Sequence, residues 1–269
     1  MVHTNYGNGL GMSARINYYW RVAATGTSFA FFGIGGLLLS ILAFPPLLIF
    51  SKIKRQLYAR WIIHKSFGLF MWFVEKLGIM QLEIIGKEKL LQAKGKLIIA
   101  NHPTLIDVVA LISIIPNANC VVKQSLWENP FLGGVVRSAN YISNLEPNEL
   151  MLDCAKDLSD GNTLIIFPEG TRSQPGRQLK FLRGTARIAL EMGASIQPVL
   201  IQCTPSTLAK HEKWYRIPHR RFILRIEALD SITPKEWIDI DDRPTVAVRQ
   251  LTHSLENFYN EKLNIHGQA

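Results

Sequence analysis

Two short stretches hold residue types that could act on a substrate. Asn101-His102-Pro103-Thr104-Leu105-Ile106-Asp107 follows the apolar run 96–100, and Pro168-Glu169-Gly170-Thr171-Arg172-Ser173 follows the apolar run 163–167. A histidine at the exit of a buried strand can be a satisfied core residue, a metal ligand or a base. Asp107 lies five positions after His102, so a turn and a first helical turn can bring its carboxylate beneath the imidazole. A buried carboxylate there would fix the histidine tautomer and stabilise the imidazolium formed when the other ring nitrogen takes a proton. No nucleophile elbow of the GxSxG kind accompanies the pair, so an acyl-enzyme is not indicated. The simplest chemistry is a dyad that deprotonates a substrate hydroxyl directly.

The second stretch has a different logic. A turn at Gly170 presents backbone N–H groups, Thr171 and Ser173 add hydroxyls, and Arg172 adds a planar fork suited to phosphate. Downstream, Lys180, Arg183 and Arg187 are spaced as one stripe on an expected helix. The stripe reads equally as a solvated face and as a landing strip for anionic lipid, coenzyme phosphates or an acidic carrier protein. Taken alone, each motif also has an ordinary reading: a core histidine bonded to an aspartate, and a strand-to-helix turn with a surface arginine.

Elements must bring the two stretches together. The runs 96–100, 120–122, 163–167, 198–202 and 222–229 are short and rich in β-formers, with helical patterns near 106–115, 147–160 and 184–192 between them. This alternation predicts an α/β fold, a mostly parallel sheet flanked by helices, with the last strand antiparallel. Residues 245–263 read as a closing amphipathic helix. In such open sheets ligands bind outside the carboxyl ends of the strands, where both motifs fall.

The N-terminal part reads differently. Residues 22–51 carry no charged side chain, and a stretch of about 20 apolar residues suffices to cross a bilayer as a helix. Pro45, Pro46 and the glycines at 33, 35 and 36 interrupt it, so a re-entrant hairpin rivals a span. Lys52, Lys54, Arg55 and Arg60 follow it, against Arg15 and Arg21 before, which places the downstream chain on the cytoplasmic side. Residues 1–21 form a tail, 22–51 the anchor, and 52–80 a helix that either lies at the membrane interface, with Trp61 and Trp72 as anchors, or covers the sheet. Residues 81–269 form the catalytic domain.

The formal net charge of +9 and a mean hydropathy slightly above zero fit an anionic membrane as partner rather than nucleic acid. Cys120, Cys154 and Cys203 are scattered, with no CxxC pair and no clustered histidines, so neither a disulfide framework nor a metal site is expected.

The two motifs resemble the NH-x4-D and FPEGTRS blocks of the glycerolipid acyltransferases, which include 1-acylglycerol-3-phosphate acyltransferase. Residues 123–144 look like the second block of that family and 196–202 like its fourth. The resemblance implies transfer of a fatty acyl group from a coenzyme A or acyl-carrier-protein thioester, as co-substrate and with no cofactor, to a lysophospholipid hydroxyl. It implies His102 as base, Asp107 as its orienter, and Glu169, Gly170, Thr171 and Arg172 on the acceptor phosphate, with Lys123 and Arg137 of the second block as further substrate contacts. It also implies a bacterial inner membrane location with the catalytic domain on the cytoplasmic face. The family's second block usually ends in an arginine; this chain has Ser143 and Asn144 there, and Arg137 is the nearest cation. Residues 17–39 and 210–222 resemble a bacterial subgroup associated with aryl-polyene pathways, which offers a specialised acyl chain as an alternative. A non-catalytic lipid-binding protein on the same fold is the remaining rival.

Overall fold

The computed structural model describes residues 12–238 and 243–267; residues 1–11 of the expected tail lie outside the described residues. Its centre is a seven-stranded sheet. In chain order the strands are β1 (Met80–Ile85), β2 (Leu97–Ala100), β3 (Ala118–Val122), β4 (Ile142–Ser143), β5 (Thr163–Ile166), β6 (Ile196–Thr204) and β7 (Phe222–Ala228). They lie in the order β1-β7-β6-β2-β5-β3-β4, and each neighbouring pair is parallel except β6 with β7. The mostly parallel sheet and its antiparallel joint are as the sequence predicts. β1 and β4 are additions: β1 follows closely on an apolar helix, and β4 has two residues.

The helices are α1 (Met12–Leu38), α2 (Lys52–Lys76), α3 (Lys87–Leu91), α4 (Asp107–Ile114), α5 (Gly133–Ala139), α6 (Pro147–Ser159), α7 (Arg183–Glu191) and α8 (Pro244–Gly267). They cover both faces of the sheet, which is why β2 is apolar at every position instead of alternating. Ile98 and Ala100 point into a core shared with α2, α4 and α5, whereas Leu97 and Ile99 point into a second core shared with α6, α7 and α8. Leu97, Ile98 and Ile99 are fully buried, and each contributes about 1.5–3 kcal/mol by leaving water. α4 ends where Ile115 turns extended ahead of Pro116, as steric clash with the proline ring requires. Asn140 ends α5 in the left-handed conformation.

α1 begins at Met12, so residues 12–21 of the expected tail are its first turns. Beyond Leu38 the chain loosens into a π-helical turn, Leu39–Ala43, and a 3₁₀ turn, Pro45–Ile49. Pro45 and Pro46 have no N–H to continue the ladder, and the chain reverses there. α2 then runs back along α1: Phe32 meets Phe67 and Phe70, Phe31 meets Phe73, and the Trp20 indole donates to the Leu77 carbonyl at 3.1 Å. The apolar segment is thus one arm of a helical hairpin. Among the described residues, Met12–Ile49 is the one stretch long and apolar enough to cross a membrane, and it fits a membrane anchor.

α2 packs its inner face on the domain, the second of the two places foreseen for it. Ala59, Ile63, Phe70, Met71 and Val74 are buried against the sheet layer, while Trp61 and Trp72 stay exposed. Arg60 departs from expectation. It is 3% exposed, donates to the Ala139 carbonyl at 3.0 Å and pairs with Asp157 at 3.3 Å, so it is a core cation and not part of the basic flank. Lys52 and Lys54 remain at the surface.

Candidate active site

β2 and β5 are parallel neighbours, so the two loops leaving their carboxyl ends meet. Asp107, the first residue of α4, is fully buried and its Oδ2 lies 2.8 Å from His102 Nδ1. The same oxygen accepts the Thr104 amide at 2.7 Å, and Oδ1 accepts the Thr104 hydroxyl. With Nδ1–H donated to the carboxylate, Nε2 is the nitrogen left for a substrate proton. The imidazole is 16% exposed and lies against the Phe167 ring, with centroids 4.4 Å apart.

The loop after β5 holds the histidine's backbone. The Glu169 carboxylate accepts the His102 amide at 2.9 Å and the Ser173 hydroxyl at 2.7 Å, while the Ser173 amide donates to the His102 carbonyl at 2.7 Å. Burial pushes the Glu169 carboxyl above the usual range, against the pull of the hydrogen bonds from Ser173 and His102. In this geometry the Glu169 carboxylate, expected on the acceptor phosphate, is engaged by the backbone of the His102 loop. Gly170 has φ +64°, and a Cβ there would fall 2.7 Å from Leu182 Cδ1, so the turn requires glycine. Arg172 Nη1 donates to the Leu208 and Ala209 carbonyls at 2.8 and 3.0 Å. Part of its fork is thus spent on fixing the loop after β6. Thr171 is half-buried in the same turn.

Three residues without a role in the sequence reading, Asn101, Thr104 and Tyr259, complete this frame together with Ser173. Asn101 is 3% exposed and exchanges two bonds of 2.8 Å with the Ile201 backbone, clamping the end of β2 to β6. The Tyr259 hydroxyl, fully buried on α8, donates to the Ile99 carbonyl at 2.6 Å and accepts the Val199 amide at 3.2 Å. Thr104 and Ser173 act as described above. Asn101 carried a signal: a polar side chain at the end of a strand buried on both faces needs a partner.

Beside the His102 loop opens a narrow apolar cavity of about 80 Å³, walled by Phe29 and Phe32 of α1, Val74 of α2, and Leu105, Ile106 and Leu208. Its mostly apolar lining suits a hydrocarbon chain better than a charged headgroup.

Residues 81–202 match the family model described as Acyltransferase. The chain is 30% identical over 157 residues, 55% of its length and 66% of the relative's, to a 1-acyl-sn-glycerol-3-phosphate acyltransferase of Helicobacter pylori. It is 23% identical over 249 residues to the alpha form of that enzyme from Ovis aries, covering 86% of this chain and 79% of that one. The fold is similar to the crystal structure of the 1-acyl-sn-glycerophosphate (LPA) acyltransferase from Thermotoga maritima, with a TM-score of 0.65 and 19% identity over 91% of this chain and 97% of that one. This chain belongs to the glycerolipid acyltransferase family. It spans about half to two-thirds of the length of the first curated relatives it matches.

Within the acyltransferase frame the remaining expected contacts separate. Lys123 follows β3 at the same sheet edge and is exposed; with β5 between, its strand is about 10 Å from that of His102. Arg137 sits on α5 and donates to the Trp127 carbonyl, within the second block itself. Ser143 Oγ donates to Gln124 Oε1 at 2.6 Å and Asn144 Oδ1 accepts the Gln124 amide at 3.2 Å. These two neutral side chains therefore brace the loop after β3. Lys180 precedes α7, which starts at Arg183, so the expected basic stripe is part loop and part helix, and Arg187 pairs with Glu191 at 2.6 Å.

Proposed function

We propose that this chain is an O-acyltransferase that moves a fatty acyl group from a coenzyme A or acyl-carrier-protein thioester to the hydroxyl of a lysophospholipid such as 1-acylglycerol-3-phosphate. The observation that carries the reading is the Asp107–His102 pair beside an apolar slot suited to a single chain. His102 Nε2 takes the proton of the acceptor hydroxyl as its oxygen attacks the thioester carbonyl. The Asp107 carboxylate stabilises the imidazolium so formed. Collapse of the tetrahedral intermediate breaks the C–S bond, and the imidazolium returns the proton to the departing sulfur, giving ester and free thiol.

The site we propose is at a bacterial inner membrane, with the sheet on the cytoplasmic face and the α1–α2 hairpin in one leaflet. In support, Ile34, Leu38, Ile41, Leu42, Leu48 and Ile49 are exposed at the turn end of the hairpin, followed by Lys52 and Lys54. Exposed Lys180 and Arg183 flank Leu182, which packs on Gly170, and offer the carrier's phosphate or acidic surface a place close to the base.

Thiol release from acyl thioesters, measured with a panel of lyso-acceptors, tests the reading. His102→Ala is expected to lower kcat by ~10²–10⁴ while unfolding at an unchanged temperature. A folded His102→Ala protein with near-normal kcat would show that the histidine is not the base.

A further inference from the structure

The inner face of α1 is built the wrong way round for a helix packed on an apolar core. Its buried side chains include Arg21, Thr25 and Ser28, while Ile16, Trp20, Phe31, Ile34 and Leu38 are exposed. The exposed face fits lipid, but the buried face needs a separate reason, because burying polar groups costs free energy unless each is paired.

Ser28 is accounted for, since its hydroxyl donates to the Ala24 carbonyl at 2.8 Å. Thr25 and Thr207 are not. They are 5% and 2% exposed, and neither hydroxyl has a hydrogen-bond partner. Arg21 is 4% exposed, and no carboxylate among the described residues pairs with it. Its Nε donates to Asn17 Oδ1 at 3.0 Å and its Nη2 to the His219 carbonyl, two of the five donors a guanidinium carries. Arg21, Thr25 and Thr207 all line the apolar cavity beside the His102 loop. One cation and two unpaired hydroxyls, in a wall otherwise mostly of Phe, Val, Ile and Leu, are a matched set for a single oxygen group that arrives inside an apolar ligand.

We propose that this cavity recognises an acyl chain that carries an oxygen function, a carboxylate or a hydroxyl, at its far end, and that Arg21, Thr25 and Thr207 receive that group. The inference rests on the acyltransferase reading for the origin of the chain. A phosphate headgroup is the poorer occupant. Its charge of about −1.5 to −2 would face one guanidinium in a desolvated slot lined mostly by apolar side chains. A terminal oxygen on a hydrocarbon chain has the right charge, and its methylenes satisfy the aromatic and aliphatic wall. A site that holds buried donors for a ligand oxygen also rejects the ligand that lacks it, because the donors then stay unpaired.

The test compares kcat/KM for acyl thioesters that end in methyl, hydroxyl or carboxylate, over a matched series of chain lengths, with lysophosphatidate as acceptor. At the best length an oxygenated chain is expected to exceed its methyl counterpart by at least ~10-fold, the discrimination of one or more buried hydrogen bonds. Thr25→Val with Thr207→Val should cut that ratio towards one, and an unfolding temperature close to that of the wild type shows that the variant folds. Equal kcat/KM for the three termini in the wild type overturns the proposal, as does a preference that survives the double substitution. A rise in KM for lysophosphatidate in Arg21→Gln without any terminal preference would assign the guanidinium to the acceptor and also overturn it. Binding of a free dicarboxylate against a monocarboxylate of equal length, followed by thermal shift, keeps the outcome separate from the activity: tighter dicarboxylate binding lost in the double variant supports the site even where no thioester turns over, and indifference to the second carboxylate counts against it.

Discussion

Asp107→Asn separates the geometry of the dyad from its charge. In many buried carboxylate–histidine pairs an asparagine presents its NH₂ to the imidazole and forces the wrong tautomer. Here the surroundings oppose that flip. Oδ2 already accepts two N–H groups, the Thr104 amide at 2.7 Å and His102 Nδ1 at 2.8 Å, so an amide nitrogen placed there would face two donors. Oδ1 faces the Thr104 hydroxyl, which can turn from donor to acceptor and take the new NH₂. The asparagine oxygen therefore replaces Oδ2, and the productive tautomer survives. What is lost is the difference between a charge-assisted and a neutral hydrogen bond to the imidazolium, about 1–2 kcal/mol. That corresponds to a fall in kcat of roughly 5- to 30-fold. Asp107→Ala removes the acceptor altogether and strands the buried Thr104 amide, so its loss should reach ~10²–10⁴. Single-turnover thioester cleavage with saturating acceptor reads both, and ¹⁵N shifts of the imidazole read the tautomer. An Asn variant as inactive as the Ala variant, with its imidazole proton moved from Nδ1 to Nε2, would refute the reasoning; so would a loss under about twofold.

Three further outcomes are expected. Because burial raises the Glu169 carboxyl, its ionised form costs stability; that cost is absent below the unfolded value near ~4.3 and complete above the folded value. The stability of Glu169→Gln relative to wild type should therefore grow as pH climbs through that window and then level off, which denaturant titrations across pH will show. Burial pushes the thiols of Cys120, Cys154 and Cys203 up to about 12, so at pH 8 each is alkylated about a thousandfold more slowly than a free cysteine, and iodoacetamide should spare activity until the protein unfolds. Arg60→Met strands the buried Asp157 carboxylate, already raised by burial and bonded by Asn119 at 2.8 Å and Asn162 at 3.1 Å; a loss of about 3–5 kcal/mol is expected in thermal or denaturant unfolding, much of it regained by adding Asp157→Leu.

The catalytic frame was legible because its signals are local. Strands buried on both faces read as unbroken apolar runs, and the H-x4-D spacing spans one turn and the start of a helix, short enough that geometry follows from sequence. The roles of the charged residues were not legible, since a charge has no periodicity to show which way it turns. Arg60 looked like a basic flank and is a core cation; Arg172 looked like a phosphate fork and partly serves two carbonyls; Glu169 looked like a ligand contact and its carboxylate takes the His102 amide. Each is decided by a partner far along the chain, such as Asp157 for Arg60 or Leu208 for Arg172. That the apolar helix packs back on α2 was not legible either, because it shows only in contacts such as Phe31 with Phe73 and Trp20 with Leu77.

The clamp around β2 also sets an order of assembly. Ile99, two residues before the NH motif, is held by Tyr259 from α8, Asn101 by Ile201, and the His102 amide by Glu169. The contacts between α1 and α2, by contrast, are all available once residue 77 is made, while Tyr18 and Phe29 meet His219 and Trp214 only later. On the ribosome, then, the greasy end is made long before the reactive one is braced. The apolar arm is thus exposed while the histidine loop is still unsupported, and β2 is held at Ile99 only when α8 closes over the sheet.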